Sequence, residues 1–518
     1  LLLLELFSVI LRQREPQKRI LLNHCAMSKN IVIFIFVSLF TFQFSTAQET
    51  RKYTFEEILL IARQQSPPAV LARHRYRQSY WEFRTHKASF LPTLTMNATL
   101  PDLNRSIERI TQDDGSDAFR ERSLVNSSAT FELSQNIGLT GGSIFMSSDL
   151  ERIRFLSDTI PTSYSTTPVS IGIRQPVNGY NEFKWQREIE PLKYERAQRE
   201  YIQSLEQVTL RTVNFFFDLL LAQKNIEIAK LNLSNADTLY QIAKGRYQLG
   251  TIAENELLQM ELSFLNAGAA MNEANIDLEI QKFQLNSYLG LPQDINIELI
   301  IPKSIPDLEI ELQRALETAW QNNPDILERQ QQLLQARQEV ARTKSEKGLN
   351  ATLFARYGLT NQAFDFRDAY RDLDNEQRAV FGVEIPLIDW GLGRGKYRMA
   401  QSALEVTRTN VQQAEMDFQQ EVLLEVMQFN LQDDQLGIAA KADTIGMKRF
   451  EVTKQRFLIG RISVLELNDA QTEKDQAARA YLAALRNYWT YFYNLRSLTL
   501  YDWIEEEPLQ QNFDDILN

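Results

Sequence analysis

Two kinds of hydrophobic spacing alternate along this chain. Residues 183–248 and 393–458 carry apolar positions at helical spacing, mixed with Gln, Asn, Lys and Glu, as in VNFFFDLLLAQKNIEIAKL. The first stretch holds one proline, Pro191, near its start, where proline is tolerated, and the second holds none. At ~1.5 Å per residue each predicts a helix of roughly 100 Å, too long for a compact globular domain. Apolar positions spread widely round both, so such helices must pack side by side, as coiled coils or a larger barrel. Gly250 and Gly460 interrupt the two patterns, and glycine is the natural residue just past a helix end. A further helix follows each, over 252–289 and 462–498. Shorter helices, 68–89 and 324–347, are expected ahead of the strands. One short helix stacked end to end on one of these matches one long helix, as a cylinder of equal-height helices requires.

Between the helices the period changes to two. TLTMNATL (93–100) puts Leu94, Met96, Ala98 and Leu100 on one face. VSIGIRQ (169–175) sets Val169, Ile171 and Ile173 against Ser170, Gly172 and Arg174. ATLFARYGL (351–359) and VFGVEIP (380–386) alternate in the same way. Such strands suit either a half-buried soluble sheet or a lipid-facing, water-lined barrel. Helices of this length and the export signals below favour the barrel. SATFELSQN (128–136) and GSIFMSSDL (142–150), joined around Gly141-Gly142, predict an additional hairpin, either in the barrel wall or outside it. Residues 102–122 are polar with both charge signs and predict an exposed loop.

The chain also repeats itself. RYQLGTIAENELLQME (246–261) returns as RFLIGRISVLELNDAQ (456–471), an offset of 210 residues. At the same offset IGIRQPVNGYNEFKWQ (171–186) meets FGVEIPLIDWGLGRGK, with Pro176 facing Pro386. Upstream, RQQSPPAVL (63–71) resembles WQNNPDILE (320–328) at an offset of about 257, so the first copy carries some 47 extra residues. The expected organisation is an N-terminal extension and signal peptide, 1–47; a first repeat, 48–290, with strands about 91–176; a second repeat, 291–500, with strands about 350–386; and a C-terminal tail, 501–518.

The N-terminus supports export. Met27 is the expected start, followed by Lys29, the apolar run IVIFIFVSLFTF and Ser45-Thr46-Ala47, the pattern of a cleaved signal peptide. The other reading is a membrane anchor, but the run falls short of the ~20 residues a span needs. Removing 1–47, with five basic and two acidic residues, takes the net charge from −11 to −14. So acidic a chain is a poor binder of nucleic acid. With three histidines (His24, His74, His86) and one cysteine, Cys25, no zinc cluster, nucleophile pair or disulfide framework is expected. Nucleophile-elbow, phosphate-loop, zincin and dinucleotide signatures do not occur, so no catalytic group, metal or cofactor is expected.

The duplicated R-[YF]-x-[LI]-G-x(5)-E, the Asn323-Pro324 helix break and the strand-Pro-long-helix step resemble the TolC outer membrane factor family over about residues 53–500. The resemblance implies a mainly α-helical, internally duplicated fold: a long α-helical barrel capped by a membrane β-barrel, as a homotrimer in outer-membrane lipid. It implies an equatorial belt from 53–66, 291–323 and the C-terminal end. It also implies a passive tunnel for tripartite efflux or type I secretion, opened at its periplasmic tip by an adaptor protein and an inner-membrane transporter. The tip would comprise Arg246, Tyr247, Gly250, Glu256, Arg456, Phe457, Gly460 and Arg461. Glu466 and Asp469 match acidic positions that line the constricted pore entrance; spaced by three, they share one helix face. Glu256 matches an acidic latch position, for which Arg461 is the candidate partner. Phe457 replaces a hydroxyl-bearing Tyr, so that hydrogen bond is lost. Arg246 and Arg456 either cap last-turn carbonyls or touch the adaptor. The aromatic run at 488–493 is expected to pack as core near the belt. A competing reading, an exported coiled-coil or adaptor protein, leaves the strands and the duplication without a role.

Overall fold

The protein, seen in a computed structural model, is described over residues 50–156, 161–177, 179–302 and 305–517. The expected extension and signal peptide, 1–47, with Met27 and Cys25, lie outside the described residues. The chain divides into a small unit, Leu1–Arg51 with Asp294–Asn296, and a large one, Lys52–Gln293 with Ile297–Asn518. The large unit is described here by itself.

Helix α1 (Phe55–Gln65) leads into α2 (Pro67–Ala88), and α5 (Leu312–Asn322) into α6 (Pro324–Glu346). Both junctions are built alike. A buried polar residue, Ser66 or Asn323, takes extended backbone and caps the next helix, whose first residue is the proline. Ala69 N–H donates to Ser66 Oγ at 3.3 Å, and Asp325 N–H to Asn323 Oδ1 at 2.8 Å. The missing proline N–H costs nothing at that position. Helix α3 (Glu182–Gln248) runs unbroken for 67 residues, and α4 (Glu254–Leu289) returns beside it. In the second repeat one helix was expected over 393–458. The structure instead has α7 (Leu392–Asn430) and α8 (Gln432–Leu458), separated at Leu431, before α9 (Val464–Thr499). The break coincides with Asn430, whose side-chain amide brackets the Ile310 peptide: Oδ1 accepts its N–H at 3.0 Å and Nδ2 donates to its carbonyl at 2.9 Å. Next to the strands the helices lie in the order α2, α3, α6, α7; toward the two glycine turns the order is α4, α3, α9, α8. None of the described helices is long and apolar enough to cross a membrane.

The densest core surrounds the middle of α3. Phe216, Phe217, Trp489 and Phe492 are buried there, with Phe55 of α1 edge-on to Phe216 at 5.1 Å between ring centres. Tyr488 is buried as well, while Tyr491 and Tyr493 are partly exposed. At its centre Glu206 is fully buried. Arg496 Nε donates to Glu206 Oε2 at 3.0 Å, Arg63 of α1 pairs with the same carboxylate, and Arg496 Nη1 reaches Asp502 at 2.6 Å. One carboxylate therefore ties α1, α3 and α9 together, and Asp502 adds the tail. The connecting segments bind at this level too: Gln223 of α3 donates to the Ile297 carbonyl at 2.8 Å and accepts the Leu299 N–H at 3.1 Å. Strands β1 (Thr50–Tyr53) and β6 (Asn296–Leu299) form a small ladder, with Lys52 and Glu298 paired at 2.8 Å. In the tail, β9 (Tyr501–Asp502) pairs with β10 (Glu507–Pro508), and Arg77 holds the carbonyl of Ile516 in α10 (Phe513–Leu517).

The remaining strands form one antiparallel sheet in the order β2 (Thr93–Thr111), β3 (Asp117–Ile137), β4 (Gly142–Phe155), β5 (Ser163–Val177), β7 (Asn350–Ala363), β8 (Asp374–Glu384). Its two faces differ chemically. Cross-strand registers place Leu94, Leu133, Met146, Ile171, Leu353 and Phe381 on one face, where Leu94 is 68% and Phe381 63% exposed. On the opposite face Arg174 meets Glu132 at 3.4 Å, Ser147 meets Ser170 at 2.9 Å, and Arg356 pairs with Glu376. Phe145 is buried on that polar face, stacked on Phe354 with Arg174 above its ring. Gly172 permits this, since a Cβ there would lie 2.3 Å from the Phe145 ring. An exposed apolar face backed by a polar one is the arrangement of a lipid-bounded wall.

Residues 102–122, expected as a loop, are strand for most of their length: the distal halves of β2 and β3 make a two-stranded ribbon. Both faces of the ribbon are largely exposed, and hydrophobic alternation is absent. Cross-strand charge pairs take its place, Arg105 with Glu121 at 3.4 Å and Arg109 with Asp117 at 3.6 Å.

Removing one partner of a buried ion pair typically costs ~3–5 kcal/mol. Arg496→Met is therefore expected to destabilise the detergent-solubilised protein by about that much, read by denaturant titration; a loss under ~1 kcal/mol would mean the Glu206 network is not what holds α1, α3 and α9 together. A second expectation concerns pH. Burial raises the carboxyl pKa values of Asp325, Glu421 and Glu425, and Glu421 adds repulsion to Glu425 one turn on. Folded values above unfolded ones give stability that is full below the unfolded carboxyl pKa and lost as pH rises through the folded one. Glu425→Gln should melt above the wild type near pH 8, the gap closing below about pH 4, the unperturbed carboxyl range; equal melting at both pH values contradicts this.

Candidate functional site

Each repeat ends its long helix in the same turn. Gly250 and Gly460 take φ of +70° and +74°, where a side chain would be strained. Thr251 N–H donates to the Arg246 carbonyl at 2.9 Å, and Arg461 N–H to the Arg456 carbonyl at 3.0 Å. Each bond spans six residues and closes the helix end around the left-handed glycine. Leu249 is 80% and Ile459 65% exposed at the outermost points.

The two turns are fastened to each other. Phe450, Phe457, Leu467 and Ala470 form a buried cluster, against which Leu239, Ile462 and Val464 pack. Arg246 spans the turns: its guanidinium lies 5.8 Å from the Phe457 ring centre and donates to the Leu458 carbonyl at 3.1 Å. Arg246 thus meets a last-turn carbonyl of the helix of the other repeat. Arg456 is exposed. Phe457 sits in the core, which explains an aromatic ring without a hydroxyl there. Higher up, Arg449 pairs with Glu473, and Lys454 donates to Asn235 at 3.1 Å.

The acidic residues stand at the start of the returning helices. Glu466 occupies the first turn of α9, where its N–H donates to Ser463 Oγ at 3.3 Å, and its carboxylate is favourably placed near the positive helix end. The repeat offset makes Glu256, in the first turn of α4, its counterpart. Glu466 and Asp469 are both exposed, while Leu467 and Ala470 on the other side of the helix are buried. Glu256, with Arg246, Thr251 and Ser463, lines a cleft of about 530 Å³ between the turns. Among the described ion pairs none joins Glu256 to Arg461, and Arg246 makes the bond between the turns. Tyr247 is exposed, 41%.

Sequence reasoning missed the polar seam between α3 and α9. Arg486 pairs with Asp218 at 2.7 Å and donates to Asn214; Arg479 donates to Asn225 at 2.9 Å, and Asn232 to Asp475 at 2.6 Å. Polar residues inside the helical pattern carried the signal, but nothing in one sequence says which two helices share a seam. No cluster of three or more metal-ligating side chains occurs among the described residues.

Comparison with known proteins now gives this geometry a context. No curated protein matches the chain in sequence. The solved structures similar to it include the CmeC outer membrane channel of Campylobacter jejuni, with 15% identity, TM-score 0.64, and 89% of this chain and 88% of that one covered. They also include the outer membrane protein VceC of Vibrio cholerae, with 14% identity, TM-score 0.59, and 86% and 95% covered. A third is the MtrE outer membrane channel of Neisseria gonorrhoeae in its open state, with 13% identity, TM-score 0.56, and 86% and 88% covered. At these identities the likeness establishes the fold. The profile of the family described as outer membrane efflux protein matches residues 61–291 and 315–499. Matched by that profile in both of its repeats, the chain belongs to the outer membrane efflux protein family, and it is a channel protein of the outer membrane.

Proposed function

We propose that this chain forms a homotrimeric, passive export conduit of a tripartite efflux or type I secretion system, opened at the paired glycine turns by a periplasmic adaptor and an inner-membrane transporter. The observation that carries the reading is the six-stranded sheet with its apolar face exposed and its polar face lined by paired charges. Such a sheet suits lipid on one side and water on the other. The exposed Leu249 and Ile459 at the turns supply an apolar contact for a docking partner, and Glu466 with Asp469, repeated threefold, would form an acidic ring that favours cations.

The helices support self-association. Leu424, Leu431, Ile438, Ile445 and Val452 recur every seven residues along α7 and α8, and all are exposed. On α4, Leu262, Ala269, Ile276 and Phe283 recur likewise. Sevenfold spacing is that of helices packing along their length. The repeat offset of 210 carries part of the polar seam inside the chain onto these stripes or beside them: Asn214 and Arg486 become Leu424 and Ile276 in the stripes, and Asn232 and Asp475 become Ala442 and Leu265 next to them. A junction between copies that follows the geometry of the one inside the chain would be apolar at these positions, while Asp218 and Asn225 become Gln428 and Gln435.

Two experiments test the proposal. Ile276→Glu buries a carboxylate without a partner in that junction and should convert the detergent-purified trimer largely to monomer, read by light scattering; an unchanged trimer would remove α4 from the interface. In planar bilayers the wild type should give small, cation-selective currents blocked by divalent ions. The Glu466→Ala/Asp469→Ala variant should lose most of the block, on the order of tenfold or more in half-blocking concentration, as when two carboxylates per subunit leave a narrow pore. Unaltered block would move the constriction elsewhere.

A further inference from the structure

The duplication identifies which strands are additional. An offset of 257 carries β7 onto β2, and an offset of 210 carries β8 onto β5. The second repeat therefore has two strands where the first has four, and the hairpin β3–β4 has no counterpart. This hairpin does not cross outside the sheet. It lies in the ladder between β2 and β5, with Ala98 opposite Ala129, Leu133 opposite Met146, and Met146 opposite Ile171. The open edges are β2 and β8. Both are long, and Leu94, Met96 and Leu100 of β2 are exposed; an edge of this kind is left unpaired only at the risk of aggregation.

The chain contains a template for closing those edges. At the β5–β7 junction the last strand of the first repeat meets the first strand of the second, with Ile173 opposite Ala355 and Gln175 opposite Leu353. The two offsets carry these pairs to Val383 opposite Ala98 and Ile385 opposite Met96. Ala98, Met96 and Val383 fall on the apolar face, Ile385 follows directly on the end of β8, and Val383, Ile385 and Met96 are each about half exposed.

We infer that β8 of one copy pairs antiparallel with β2 of a second copy in this register, so that each copy gives six strands to the wall and three copies close an eighteen-stranded barrel with the β3–β4 hairpin built into it. The inference rests on the homotrimeric reading above. With strands ~4.8 Å apart and tilted ~40°, the backbone cylinder would be about 36 Å across, against about 24 Å without the added hairpin, since diameter grows linearly with strand number. The outer-membrane end would then be wide, and selection would fall to the acidic turns at the other end.

Cys25 is the sole cysteine, so a Cys25→Ala background is silent. In the full-length protein, Val383→Cys with Ala98→Cys should oxidise to covalent trimers on a non-reducing gel, with single variants giving none. Val383→Cys with Met146→Cys should also give none, because β4 lies two strands in from the edge. End-on electron micrographs should show the membrane end about 36 Å across between backbone walls. A trimer by light scattering that cross-links neither at 383–98 nor at 385–96, or one that cross-links through Met146, overturns the wall while leaving the trimeric conduit intact. A protein that is monomeric by light scattering overturns both.

Discussion

A helix of 67 residues cannot bury its own faces, and this constraint organises the large unit. Helix α3 is the element that touches both tiers of neighbours, packing against α1, α2, α4, α6 and α9. Its fully buried positions concentrate between Tyr201 and Ala229, while beyond Leu231 only Ala243 is buried. Glu206 sits within that central stretch, and burying a lone carboxylate would cost several kcal/mol, ~5 or more, without partners. Arg63 and Arg496 supply them from two other helices. The pairing thus selects one register of α1 and α9 against α3, and the glycine turns, some 40 residues further along α3, inherit their alignment from it.

The two kinds of seam follow from what each must accomplish. The α3–α9 seam joins parts of one chain, held together at high effective concentration, so hydrogen bonds such as Asn232 to Asp475 serve for register and need add little net stability. A seam between copies has to supply association free energy, and apolar burial at about 25 cal/mol per Å² is the larger source. The replacement of Asn214 and Arg486 by Leu424 and Ile276 at repeat-equivalent positions fits that division. On the homotrimeric reading it also explains why so many large apolar residues stand exposed on α4, α7 and α8 of a single copy.

Much of this was legible in the sequence because long helices give a strong period, and because Ser66-Pro67, Asn323-Pro324, Gly250 and Gly460 mark ends by backbone chemistry alone. The glycine turns and the candidate residues Arg246, Glu256 and Glu466 could be placed at helix ends from residue types and spacing. What escaped notice depended on distant partners. The ribbon at 102–122 is held by charge pairs across two strands, so it reads as loop when each strand is considered alone. The break at Leu431 involves the Ile310 peptide, 120 residues away. The bond from Arg246 to Leu458 joins the two repeats, whereas a sequence reading looks for a cap within the same helix. Glu206 lies in an ordinary helical pattern, and only the fold shows that its side is inward.

The repeats have diverged in one place and been held equal in another, and the reason is geometric. From Ile171 to the glycine turns the offset stays at 210 residues, because one residue inserted into a long helix rotates everything beyond it by about 100° and lifts the turn by ~1.5 Å. That would misalign Arg246 with the Leu458 carbonyl and interrupt the sevenfold stripes. A sheet tolerates insertion if strands are added in pairs. One extra strand would reverse β5 and deliver the chain to α3 on the wrong side of the wall, whereas a hairpin preserves direction and alternation. The added β3–β4 hairpin obeys this rule, so the width of the wall has been free to change while the height and register of the helices have not.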